Sequence, residues 1–108
     1  MLDAYATRLG EEVCGPAFRG CPFLNAVAEY PDPEHPARVV TEEHRAWLRA
    51  TATDLLRRLG AQDPEGVAVQ LVMLRDGAMA AGPGVTPQTV GAALRGAGAA
   101  VLAGAVPA

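Results

Sequence analysis

Phe18-Arg19-Gly20-Cys21-Pro22-Phe23-Leu24-Asn25-Ala26-Val27-Ala28-Glu29-Tyr30-Pro31-Asp32-Pro33 is the stretch on which the reading of this chain turns. Gly-Cys-Pro makes a tight corner. Pro22 suits the first turn of a helix, where its missing N–H would have had no partner. Phe23, Val27 and Tyr30 recur at intervals of four and three and so share a face, with Leu24 and Ala28 beside it. The spacing predicts a helix of two to three turns, ended by Pro31. Such an insert, set between longer helices, is where a helical domain opens a cavity rather than closes a core.

Upstream, Leu2, Tyr5, Ala6, Leu9 and Val13 fall at helical spacing and make one apolar stripe, and Gly15-Pro16 ends that helix. Nothing in front of it looks like an N-cap, so it reads as the tail of a longer helix. Downstream, the elbow Asp32 to Pro36 leads into the longest helix, running to Leu59. Its predicted inner stripe is Val40, Trp47, Leu48, Leu55, Leu56 and Leu59, with His44 and Thr51 on the same side. Arg38, Glu42, Arg45 and Arg49 are expected on a solvated opposite face, and Gly60 supplies the C-terminal cap.

Asp63-Pro64-Glu65 is a helix start with Asp as N-cap, Pro at the first position and a carboxylate in the first turn. The pattern from Val67 to Ala81 is apolar almost all round, which predicts burial on more than one side. In so small a chain one of those sides faces a cavity or another subunit. Gly82-Pro83-Gly84 breaks the chain, and Thr86-Pro87 restarts it. The last helix, roughly 87–102, is nearly all Ala and Gly around Val90, Leu94, Val101 and Leu102. Gly91, Gly96 and Gly98 each cost about 1 kcal/mol against Ala in a helix interior, and tight packing on a neighbouring helix is the compensation. The sum is an all-α domain of five helices over residues 1–108, with no internal repeat.

Composition narrows the function. Half of the 108 residues are hydrophobic, but 22 are Ala and only five are aromatic, so bulk for a core is scarce and association is one route to stability. The net charge of −3, with no basic run, argues against a grip on nucleic acid. There is no serine, which removes Ser-nucleophile chemistry. Cys14 and Cys21 are read as reduced thiols of a cytoplasmic protein. No signal pattern or membrane-length apolar run is present. His44 has no His or Cys partner at helical spacing, so no metal site and no cofactor are expected. Adjacent Glu42 and Glu43 diverge on a helix and form no carboxylate pair.

The remaining polar residues carry two readings each. Asn25, between apolar neighbours, either bonds a ligand or ties its short helix to a nearby loop; the structural reading is favoured. His44 is either a pocket donor or a satisfied half-buried side chain, and His35 a capping or solvated residue. Arg75-Asp76 inside an apolar helix is a paired contact between subunits or a pocket anchor. The contact is preferred, because Gly77, Ala78, Ala80 and Ala81 beyond it suit close helix crossing.

The run from Phe18 to Ala26, with Glu29-Tyr30-Pro31-Asp32-Pro33 and His35-Pro36, resembles the C-terminal regulatory domain of TetR-family transcriptional repressors. The likeness continues in His44-Arg45-Ala46-Trp47-Leu48 and in the run from Gln70 to Ala78, and covers roughly residues 2–103. It implies a homodimer built on the last two long helices as a four-helix bundle. It also implies a pocket for a small-molecule effector among the earlier helices, and DNA binding through a helix-turn-helix domain absent from this chain. From the residues themselves, Cys21, Leu24 and Asn25 are expected on one pocket wall, Val40, His44 and Trp47 on another, and Leu71 and Arg75 on the floor. A small hydrophobic or aromatic effector would suit such a cavity. Asp76, Gly77, Ala80, Ala81, Val90, Leu94 and Gly98 are the expected dimer contacts. The alternative is a helical interaction module with a filled core and no ligand. An enzyme using Cys21 or His44 ranks below both.

Overall fold

The computed structural model describes residues 2–15, 20–81 and 85–107. It holds five helices: α1 (Leu2–Val13), α2 (Pro22–Glu29), α3 (Pro36–Arg58), α4 (Pro64–Ala80) and α5 (Pro87–Ala105). Among the described residues there is no strand. Pro16, Phe18, Arg19 and the expected Gly82-Pro83-Gly84 break lie outside them.

Each of the last four helices starts on a proline, as the sequence predicts, and three have a side-chain cap. The imidazole Nδ1 of His35 accepts from the Ala37 N–H at 3.1 Å, and Thr86 accepts from the Thr89 N–H at 3.1 Å. Asp63 accepts from the Gly66 N–H at 3.2 Å, with its own backbone in the left-handed region at φ 49°. Gly60, at φ 78°, turns α3 into the loop that follows, where a side chain would be strained. The Gln62 N–H then bonds the Ala105 carbonyl at 2.9 Å, tying this loop to the far end of α5.

α1 lies along α5, and glycine sets how closely. A Cβ on Gly10 would collide with the Pro87 carbonyl oxygen, and one on Gly91 would sit 3.3 Å from the Ala6 carbonyl oxygen. A Cβ on Gly98 would press on the Leu2 side chain at 3.1 Å. Gly91 and Gly98 therefore do what the sequence requires of them. Gly96 does not, since nothing lies within 4 Å of its Cβ position.

The helices spread into a slab 43 × 34 × 16 Å, thin enough to leave large faces of α3 and α4 uncovered. Two separate buried clusters result. One joins Ala6, Leu9, Val13, Cys21, Met79, Val90 and Leu94; the other joins Leu56, Val67, Ala68 and Ala105.

The longest helix follows its predicted apolar stripe only in part. Leu56 is buried as expected, but Val40 is 57% exposed, Trp47 60% and Leu59 59%, whereas Thr41 and Thr53 are buried. The buried hydroxyls are satisfied within the helix: Thr41 donates to the Ala37 carbonyl and Thr53 to the Arg49 carbonyl, both at 2.7 Å. Arg38 and Arg45, expected in water, keep only 17% and 16% of their side-chain surface. Arg38 donates to the Tyr30 and Pro31 carbonyls at the end of α2, at 3.0 and 3.3 Å. Arg45 reaches across to α4. Polar bonds, not apolar periodicity, set the rotation of α3.

Candidate ligand-binding cavity

A cavity of about 320 Å³ opens where the two clusters fail to meet. Four helices supply its lining. α1 contributes Leu2 and Tyr5; α3 contributes Ala52, Leu55, Leu56 and Leu59; α4 contributes Leu71, Leu74 and Arg75; α5 contributes Leu94, Gly98 and Leu102. Tyr5, Leu55 and Leu59 are exposed and form its mouth. The void follows from composition. Where long side chains would have to interlock, the chain offers Ala52 and Gly98.

Arg75 is the charged residue of this lining. Its Nη1 donates to Asp76 Oδ1 at 2.9 Å, and both terminal nitrogens lie 3.6 Å from the Cys21 sulfur. Asp76 in turn takes a two-pronged bond from Arg45 of α3, at 2.6 and 3.3 Å. Four residues thus link the corner before α2, the middle of α3 and the cavity wall on α4.

The charges in this cluster hold one another. Burial pushes the Asp76 carboxyl up, but the hydrogen bonds and charges of Arg45 and Arg75 outweigh it and hold the group below the usual carboxylate range. Burial likewise disfavours the Arg75 cation, and the bonds to Asp76 and Cys21 more than restore it. For the Cys21 thiol, burial raises the pKa. Backbone N–H groups of Leu24 and Phe23 at the start of α2, together with Arg75, bring it below its ordinary value.

Of the residues expected around a pocket, the structure brings Leu71 and Arg75 into this cavity. Cys21 stands behind Arg75, buried and free of any disulfide. Leu24 packs on the first cluster. Asn25 is exposed rather than buried, its carboxamide beside Gly20, so the premise that it must be paired in a core does not hold. His44 stacks on Phe23 with ring centres 3.8 Å apart and stands 5.8 Å from the Trp47 ring. None of these rings, nor Val40, lines the cavity: Phe23 packs on the first cluster with His44 half-buried against it, while Trp47 and Val40 are exposed. Leu2, Tyr5, Leu55, Leu59, Leu74 and Leu102 are lining residues the pocket reading missed. Their signal was the coincidence of leucine-rich faces on three helices with Ala52 and Gly98 opposite.

The expected intersubunit contacts divide in two. Asp76 is paired inside the chain. Val90, Leu94 and Gly98 are buried, with Gly98 facing Leu2. Gly77, Ala80 and Ala81 are exposed and continue an apolar stripe from Val69 and Met73, which are 47% and 67% exposed. Beside it a shallow groove between α4 and α5 has Val90 and Leu94 at its floor. Among the described residues no group of three or more His, Cys, Asp or Glu side chains is placed to hold a metal ion. None of the described helices is long and apolar enough to cross a membrane.

This arrangement is the all-helical fold of TetR-family regulators. A solved structure of a TetR-family transcriptional regulator from Streptomyces coelicolor superposes with a TM-score of 0.82 at 44% identity, over 95% of this chain and 51% of that one. The HTH-type transcriptional regulator YjdC of Escherichia coli is 31% identical over 71 residues, 66% of this chain and 37% of its own length, as is its Shigella flexneri counterpart. No protein-family model matches the chain. The chain therefore spans about half or less of the proteins it is similar to, and those proteins are transcriptional regulators, not enzymes.

Proposed function

We propose that these 108 residues are the effector-binding and dimerising part of a TetR-like, cytoplasmic transcriptional regulator. The observation that carries this reading is the four-helix apolar cavity with Arg75 in its wall. Its 320 Å³ lies at the lower end of the roughly 300–1,000 Å³ usual for small-molecule sites. The lining favours a small hydrophobic or aromatic effector.

In this reading two copies pair through the uncovered stripe Val69, Met73, Gly77 and Ala80 of α4 and the adjoining groove against α5. DNA is held by a helix-turn-helix domain that these residues do not include. The effector acts by binding one dimer geometry better than another, with no chemical step. Arg75 suits this coupling, because its side chain lines the cavity while its guanidinium bonds Cys21 before α2 and Asp76, which in turn bonds Arg45 of α3. A thermal-shift screen of small apolar compounds is the direct test. Saturable stabilisation that disappears when Ala52 is enlarged to Phe supports the cavity; a screen with no stabiliser removes it and favours the ligand-free interaction module. The second reading is favoured only by the uncovered faces of α3 and α4, which the dimer itself accounts for in part.

A further inference from the structure

Between Pro22 and Leu48 the chain carries five carboxylates and two arginines, and the fold sorts them by sign. Arg38 and Arg45 turn inward: the first donates to the Tyr30 and Pro31 carbonyls, the second to Asp76. Glu29, Asp32, Glu34, Glu42 and Glu43 all stay at the surface. Of these, Glu42 alone has a cationic partner among the described residues, Arg38 at 3.6 Å. The outer side of α2 and of the first half of α3 is therefore acidic.

Apolar side chains stand among these carboxylates. On α3, Val40, Glu43 and Trp47 recur at helical spacing and share one exposed strip, with Val39 and Ala46 beside it. The Phe23–His44 and Tyr30–His35 stacks run α2 antiparallel to α3, which sets the exposed Val27 level with Val39. Trp47 is the only tryptophan of the chain, and tryptophan is the side chain most typical of interface anchors. An exposed apolar strip rimmed by polar groups is the usual form of a protein-docking surface.

We propose that this face docks a basic amphipathic helix of a partner protein, its apolar stripe lying on Val40 and Trp47 and its Lys and Arg side chains reaching the carboxylates alongside. Charge decides between occupants. A second copy would lay the same acidic face against itself, like charge on like. The stripe from Val69 to Ala80 on α4 differs, because its one carboxylate, Asp76, is already paired inside the chain. The two faces thus suit different partners, and the inference does not depend on the cavity.

The probe is a synthetic leucine–lysine amphipathic helix of about 14 residues, the length of α3 from Pro36 to Ala50, with its leucine–glutamate counterpart as control. Because Trp47 is the sole tryptophan, its emission reports the contact directly. The lysine peptide is expected to shift that emission to the blue and to bind at least about tenfold tighter than the glutamate peptide, with the advantage shrinking as salt is added. Glu43→Lys is expected to weaken the lysine peptide at least about tenfold, whereas Glu12→Lys, the same change of net charge on α1, leaves its affinity within about twofold. Trp47→Ser, followed by the anisotropy of a labelled peptide, is expected to weaken it at least about fivefold. Equal binding of the two peptides, binding of neither, or binding that leaves the Trp47 emission unmoved overturns the proposal. Equal losses in Glu43→Lys and Glu12→Lys overturn it too, since net charge and not this face would then select the peptide. A smaller assembly for Trp47→Ser than for the unaltered protein in sedimentation would make the face a contact between copies, which also overturns it. Glu12, Glu43 and Trp47 are all exposed, and the comparison of the two peptides needs no variant.

Discussion

Arg45 and Asp76, 31 residues apart, form a two-pronged ion pair across the α3–α4 interface, with nitrogen–oxygen distances of 2.6 and 3.3 Å. The side chains retain 16% and 21% of their exposure, so water screens the pair only in part. Asp76 is also the sole acidic partner in its cluster, since Arg75 binds it too. Removing the negative charge therefore leaves two half-buried guanidinium groups facing each other. Asp76→Asn is expected to cost about 3 kcal/mol, the lower end of what breaking a buried pair costs, read as a shift of the urea midpoint.

Acid acts on the same pair. The folded-state pKa of Asp76 is depressed, so its contribution is fully present above the unfolded-state value of about 4 and is lost as the pH falls through the folded value. Stability followed by urea titration at several pH values is expected to decline below about pH 4, and to decline less steeply in Asp76→Asn. An unchanged acid slope in the variant would show that other carboxylates govern it.

Glycine positions give opposite outcomes on neighbouring helices. Gly10 sits where a Cβ meets the backbone of Pro87 and Gly91, which cannot move aside as a side chain tip can. Gly10→Ala is expected to destabilise by about 2 kcal/mol, as overpacked cores do. At Gly96 there is open space, and helix propensity alone operates. Gly96→Ala is expected to stabilise by about 0.5–1 kcal/mol in chemical denaturation. A loss instead would mean that this side of α5 is covered in the assembled protein.

Local chemistry was legible in the sequence, and long-range pairing was not. Pro22, Pro64 and Pro87 mark helix starts to the residue, and Asp63, Thr86 and Gly60 act as caps, because each depends on atoms within four positions. The rotation of α3 depends instead on Asp76, far along the chain, and on hydroxyls that bond back to their own helix. Those bonds let Thr41 and Arg45 go inside while Val40 and Trp47 stay out, the reverse of what hydropathy predicts. The cavity was half legible for a similar reason. Leu71 and Arg75 lie on a helix whose apolar girth announced an extra buried side, but Tyr5 and Leu102 join them only because glycine brings α1 against α5.

Ala52 looks across this cavity from α3, and a larger side chain there tests its emptiness. Ala52→Phe is expected to raise stability by about 0.5–2 kcal/mol, as cavity-filling changes do, and to abolish binding of apolar probes. Gain of stability with loss of binding is the signature of a site kept open at the expense of the core. Destabilisation would show that the space cannot accept a ring and is narrower than its volume implies.

Met73 is two-thirds exposed at the centre of the uncovered stripe on α4, one turn from Val69 and one from Gly77. Nothing in the single chain accounts for so large an apolar side chain there, and a partner's matching stripe would. Because the residue is exposed, Met73→Glu is expected to alter the stability of the isolated chain by no more than about 0.5 kcal/mol. In a symmetric pair the same change places two carboxylates face to face at a two-fold axis, in surroundings that offer them no counter-charge. Sedimentation at micromolar concentration is expected to show a dimer for the unaltered protein and a monomer for Met73→Glu, both folded by circular dichroism. A monomer in both would overturn the dimer itself, and a dimer in both would place the pairing surface off this stripe, with the exposed Val40 and Trp47 side of α3 the next face to test.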